Sequence, residues 1–137
     1  MSKVLVDTNV LVYAKDSSSI FHNDALALFQ RGDDLFLTSK NLTEYYAVTT
    51  KGDEPLLTPS EALQDISEFI SNCSLLFPSE TSHQELSLLI LKYKPKGLLI
   101  HDFEIAAIAL ANGISNMATF NRRDFQRISE LVLLKFY

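Results

Sequence analysis

Two apolar runs separated by three polar residues open the chain: Val4-Leu5-Val6, then Asp7-Thr8-Asn9, then Val10-Leu11-Val12. The first run is short, unbroken and β-branched, as in a strand buried on both faces. The second reads as a helix packed beside it, and Asp7 falls at the junction. In "FHNDALALFQRG", Ala25, Leu28 and Phe29 recur at helical spacing, with Asn23 or Asp24 as opening caps and Gly32 as the stop. A strand is predicted at "LFLTS" (35–39), followed by a helix whose face carries Leu42, Tyr45, Tyr46 and Thr49.

After the loop "GDEP" (52–55), "TPSE" is a strong helix start. Thr58 is the N-cap, Pro59 sits at the first helical position and Glu61 completes a capping box. Leu63, Ile66, Phe69 and Ile70 make its apolar stripe. "SLLF" (74–77) is a third strand, and the next helix runs to about Tyr93, stopped by Pro95 and Gly97. An alanine-rich helix, "LLIHDFEIAAIALANG", ends at Asn112-Gly113; its Ile105, Ala106 and Ala109 share an inward face. "NMATF" (116–120) is a strand, "RRDFQRI" a turn of helix and "ELVLLKF" (130–136) a last strand. Strands alternating with helices predict a three-layer α/β/α sandwich on a central, mainly parallel sheet, as one domain over residues 1–137.

Composition narrows the class. At 47% hydrophobic and 21% charged residues the chain is an ordinary globular one. No basic-then-apolar leader and no run near the ~20 residues of a membrane span is present, so a cytoplasmic protein without membrane contact is expected. The single cysteine, Cys73, excludes an internal disulfide and reads as a small core residue. The formal net charge of -5 argues against a broad phosphate-binding surface, unless several acids are ligands for divalent cations.

Four acids invite that reading. In open parallel sheets, ligands bind beyond the carboxyl ends of the strands. Asp7 ends the first strand, Glu44 lies one turn into the helix after the second, and Asp102 opens the alanine-rich helix. Asn121 and Asp124 follow the "MATF" strand, three apart. Like charges ~4 Å apart repel by about 4 kcal/mol at an effective dielectric of about 20, so such a cluster must protonate or hold cations. Oxygen ligands suit Mg²⁺ or Mn²⁺, and the chemistry that follows is metal-assisted phosphodiester hydrolysis. Singly, each acid has a plainer role as cap, dipole partner or solvated residue; their shared placement is what those roles do not explain.

At these residues the sequence resembles the PIN domain, a nuclease family that includes the VapC-type toxins of toxin–antitoxin pairs. The matching stretches are "VLVDTNVLVYA", "LTEYYAV", "IHDFEIAAIAL" and "ATFNRRDF", in the family's order. The resemblance implies a Mg²⁺- or Mn²⁺-dependent endoribonuclease site of Asp7, Glu44, Asp102 and Asp124, with Asn121 and Thr119 in support. Asp7, Asp102, Asp124 and Asn121 would be metal ligands, and Glu44 would position or deprotonate a water. Some relatives carry a further acid where this chain has Asn121, which leaves one or two ions open. Arg122, Arg123 and Thr119 would meet substrate RNA, with Lys15, Lys40 and Lys51 further out. A homodimer and a small antitoxin partner are also implied. The competing reading is a non-catalytic PIN-like module that binds protein or RNA. Aspartyl-phosphate chemistry ranks lower: a dehalogenase-type phosphatase wants a second Asp two residues after the nucleophile, where this chain has Asn9.

Overall fold

The computed structural model describes residues 2–137. Five parallel strands form one sheet: β1 (Lys3–Val6), β2 (Asp34–Thr38), β3 (Ser74–Leu76), β4 (Asn116–Ala118) and β5 (Val132–Leu133), in the order β3-β2-β1-β4-β5. Seven helices connect them: α1 (Thr8–Lys15), α2 (His22–Phe29), α3 (Ser39–Thr50), α4 (Pro59–Asn72), α5 (Glu80–Tyr93), α6 (Ile100–Ala111) and α7 (Arg122–Phe125). The sequence-predicted class, a mainly parallel α/β/α sandwich, is the one observed. Among the described residues no helix is long and apolar enough to cross a membrane.

Alternation along β1 divides the core. Val4 and Val6 join a cluster with Leu11, Ala25, Leu28, Leu42 and Tyr45, contributed by α1 to α3. Leu5 points the other way, to Met117, Leu89, Phe103, Ile105 and Phe125, on the side of α5 to α7. Phe103 and the run Ile105–Ala109 are all buried, so α6 is enclosed nearly all round. Its alanines let α5 and the sheet approach it closely.

Chain direction creates the crevice that matters. From β1 the connection passes to β2 on one side, while β4 leads to β5 on the other. β1 and β4 are hydrogen-bonded neighbours, with Val4 opposite Asn116 and Val6 opposite Ala118. Their carboxyl ends therefore flank a topological switch point, where an open parallel sheet leaves room for a ligand.

Several local expectations change. α2 begins at His22 with Phe21 at the N-cap position and no side-chain cap. The incoming turn satisfies the backbone instead, Ser19 accepting from the His22 N–H, and Asp24 lies inside the first turn. The Thr58–Glu61 capping box forms as read, but the inner face of α4 is Ala62 and Phe69, with Ile66 partly buried. Leu63 is 62% and Ile70 46% exposed, because α4 is an outer helix that offers its neighbours a narrow face. Tyr46 is also exposed, whereas Tyr45 is buried and donates its hydroxyl to Asp65 at 2.6 Å, linking α3 to α4. The final strand is two residues long rather than seven. β5 has only β4 to pair with, and beyond it Phe136 and Tyr137 pack on Phe120. Cys73 is buried and free.

Candidate active site

Asp7 occupies the switch point. It leaves β1 in an extended conformation and caps α1, its N–H donating to the Ala118 carbonyl at 2.9 Å. One carboxylate oxygen accepts from the Thr8 N–H at 2.8 Å, the other from the Thr119 hydroxyl at 2.8 Å. The cap role thus falls on the side chain that is expected as a ligand. It is 6% exposed, and burial pushes its carboxyl up to about 6. The charges of Glu44 and Asp124 add to the rise, while the bonds from Thr119 and Thr8 oppose it.

Asp102 lies in the first turn of α6, half-buried. Its carboxyl is pushed up to about 7, first by burial and then by the charges of Asp7, Asp124 and Glu44. The four acids are therefore near enough to feel one another. Glu44 projects from α3 into solvent, and Asp124 accepts from the Asn121 amide at 2.6 Å. Among the described residues, none of the four is in an ion pair with a lysine, arginine or histidine.

Of the cations expected near the site, Lys15, Lys40 and Arg122 are committed elsewhere. Lys15 pairs with Glu68 at 2.9 Å, and Lys40 with Glu104 at 3.0 Å, joining α3 to α6. Arg122 donates to the Leu134 carbonyl at 3.2 Å and so secures the end of the sheet, while Arg123 is exposed. Thr119, expected to meet substrate, is 1% exposed. Its hydroxyl donates to Asp7 and accepts from the Asn121 N–H at 2.9 Å, which puts it behind the acid.

Two positioning residues were not singled out from the sequence. The Asn9 amide donates to Thr119 at 3.3 Å and, at a long 3.4 Å, to Asp7, while its carbonyl accepts from the Phe120 N–H. Asn41, fully buried, completes a capping box with Thr38 and donates to the Thr8 hydroxyl at 2.9 Å. That contact fixes α3, and with it Glu44, against the start of α1. The Thr-x-x-Asn spacing at 38–41 is the signal that points to it.

The donor set suits a hard divalent ion, since all the side chains offered are oxygen donors. A buried carboxylate beside uncompensated like charges is the electrostatic state that a cation relieves. Among the described residues no three Asp, Glu, His or Cys side chains are already grouped to hold an ion. A small ion that keeps several of its own waters does not require such a group.

The chain is a parallel α/β/α sandwich with acids at its switch point, and the comparisons give it a family. Residues 4–131 match the PIN domain family, and the chain belongs to that family. No curated protein matches the sequence. Among solved structures, the chain is similar to VapBC2 from Rickettsia felis bound to a DNA fragment from its promoter, at 20% identity and TM-score 0.74, covering 96% of this chain and 97% of that one. It is also similar to FitAcB from Neisseria gonorrhoeae, at 16% identity and TM-score 0.73, covering 96% of both chains. A third is VapC20 of Mycobacterium tuberculosis, a toxin that cleaves the Sarcin-Ricin loop, at 11% identity and TM-score 0.72, covering 91% of this chain and 95% of that one.

Proposed function

We infer that the protein is a Mg²⁺- or Mn²⁺-dependent endoribonuclease and the toxin of a toxin–antitoxin pair. One observation supports the reading: Asp7, at the switch point, and Asp102 are each pushed up by the charges of Glu44 and Asp124, and among the described residues none of the four has a cationic partner. A site built for structure alone would neutralise such charge or avoid it. The likeness to VapBC2 and to the loop-cleaving VapC20 supports the toxin and RNA parts of the reading.

When bound, the ion supplies Lewis-acid stabilisation of the phosphate and a water of lowered pKa. Asp7 and Asp102 would hold it, and Asp124, with the Asn121 carbonyl, would complete the oxygen set. Thr119 and Asn9 hold the Asp7 carboxylate in one orientation, so its lone pairs face the crevice without reorganisation. Glu44, the most solvated of the four acids, orients the attacking water and takes its proton. Arg123 meets a backbone phosphate outside the acidic centre. A small antitoxin protein covers the acids, and the chain works as a homodimer in the cytoplasm.

The test is incubation with total RNA and Mn²⁺, comparing wild type with Asp7→Asn and mapping the cut ends. Cleavage by wild type and its loss, by about 100-fold or more, in a folded Asp7→Asn protein is the expected result. Equal cleavage by the two would sink the assignment.

A further inference from the structure

Glu44 stands on a ridge between two clefts. One, of about 270 Å³ between α3 and α6, is rimmed by Lys40, Thr43 and His101, but its lysine is engaged by Glu104. The other, of about 140 Å³ between α1 and α3, is lined by Thr8, Asn9, Val12, Tyr13, Glu44 and Val48. Two of these residues touch the acidic centre directly: the Thr8 N–H and the Asn9 amide both donate to Asp7. The smaller cleft is therefore continuous with the candidate active site. Val12, Tyr13 and Val48 are its apolar lining, and Thr8, Asn9 and Glu44 its polar lining.

The Tyr13 ring is braced from behind. Phe21 lies 5.3 Å from Tyr13, and Phe120 meets it edge-on at the same distance. Phe120 is itself packed against Phe21 at 4.7 Å and Tyr137 at 4.8 Å. Outside its helix, the hydrogen bond Tyr13 makes uses its backbone carbonyl, which accepts from His22 Nδ1 at 2.8 Å.

We propose that this cleft seats one unpaired base of the RNA strand, stacked on Tyr13, next to the phosphate that is cut. The proposal rests on the nuclease reading above and deepens it: one base beside the cut bond is held in this cleft, out of the stack. Asp7 lies deep in the crevice, so the scissile phosphate has to descend to it. Bases of an A-form duplex stay stacked on both faces, whereas an unpaired nucleotide can splay its base aside. The cleft has room for one heteroaromatic ring system. Charge argues the same way. A chain of net charge -5 gains little from phosphate attraction away from a bound ion, so a contact that holds a strand without charge carries more of the affinity. Stacking on an aromatic ring is such a contact, and it accepts any base.

The test uses an oligoribonucleotide covering a cut site mapped in total RNA, together with copies in which an abasic nucleotide is walked through each position. Wild type should lose about 5- to 150-fold in kcat/KM at one position beside the cut bond, mainly through KM. Tyr13→Leu should lose a similar factor on the intact strand and cease to distinguish the abasic copy, while Tyr13→Phe keeps the discrimination. Val48→Phe, which fills the cleft from the opposite wall, should behave like Tyr13→Leu and guards against a folding defect in the latter. Pairing the strand into a duplex should abolish cleavage. If wild type cuts the RNA but tolerates abasic positions throughout, or cuts duplex equally, the base cleft is wrong and the nuclease reading stands. If wild type shows no metal-dependent cleavage of any RNA, both fail.

Discussion

Asp7 is a cap, a strand end and a buried charge at once, and its environment sets a sign on pH. Its folded pKa, about 6, lies above the ordinary value of 3.8, as does that of Asp102 at about 7. A carboxyl raised in this way stabilises the fold fully below about pH 4 and ceases to as pH climbs through 6 and 7. For Asp7 the effect is about 3 kcal/mol; for the half-exposed Asp102, solvent screening makes it smaller. In EDTA, chemical denaturation should find wild type more stable at pH 5 than at pH 8, and Asp7→Asn should narrow that gap. Equal gaps would count against the charge cluster. Thr119→Val keeps shape but removes the donor to Asp7, at a cost of about 1–3 kcal/mol. It should also move the pH profile of Mn²⁺-dependent cleavage to higher pH, a shift that simple loss of packing would not produce. At this scale the acids were legible, because each lies just past a hydrophobic run. Asn9 and Thr119 were not legible as a pair, because their contact depends on β4 lying beside β1.

At the scale of elements, α3 is aimed by its first turn. The Thr38–Asn41 capping box is buried, and the spare amide proton of Asn41 reaches Thr8 across the sheet end. Asn41→Ala should therefore cost about 2 kcal/mol, more than a surface cap, because it strands the Thr38 and Thr8 groups without partners. Thermal unfolding would measure that loss, and cleavage should fall as well, since Glu44 rides on the same helix. A stability loss with full kcat would mean that α3 is positioned by packing alone. Element type followed from periodicity nearly everywhere, and the Thr58 box and Asn112-Gly113 stop appear as read. The facing of α4 did not follow, because a stripe of four apolar residues does not say which of them finds a neighbour. Leu63 and Ile70 find none within the chain, and the second half of the predicted last strand found aromatic partners in place of a ladder.

For the whole molecule, the two cores hold a sheet with a polar crevice between the carboxyl ends of β1 and β4. An ion that binds the folded crevice and not the unfolded chain adds about 2.7 kcal/mol at a hundred times its Kd. Mn²⁺ should thus raise the Tm of wild type and leave Asp7→Asn near its metal-free value; no rise in wild type would favour a scaffold that cuts nothing. The sandwich itself was readable from strand–helix alternation, while the strand order was not, since nothing local tells β4 to return beside β1. That return has a consequence in time. Asp7 and the hydroxyl that orients it are 112 residues apart in sequence. During synthesis, the acid emerges 112 residues before the partner that orients it. Long-range parallel pairing of this kind forms late in folding. The centre therefore exists only once β4 lies beside β1, and a fragment ending before Thr119 would carry three of the four acids with nothing to assemble them around.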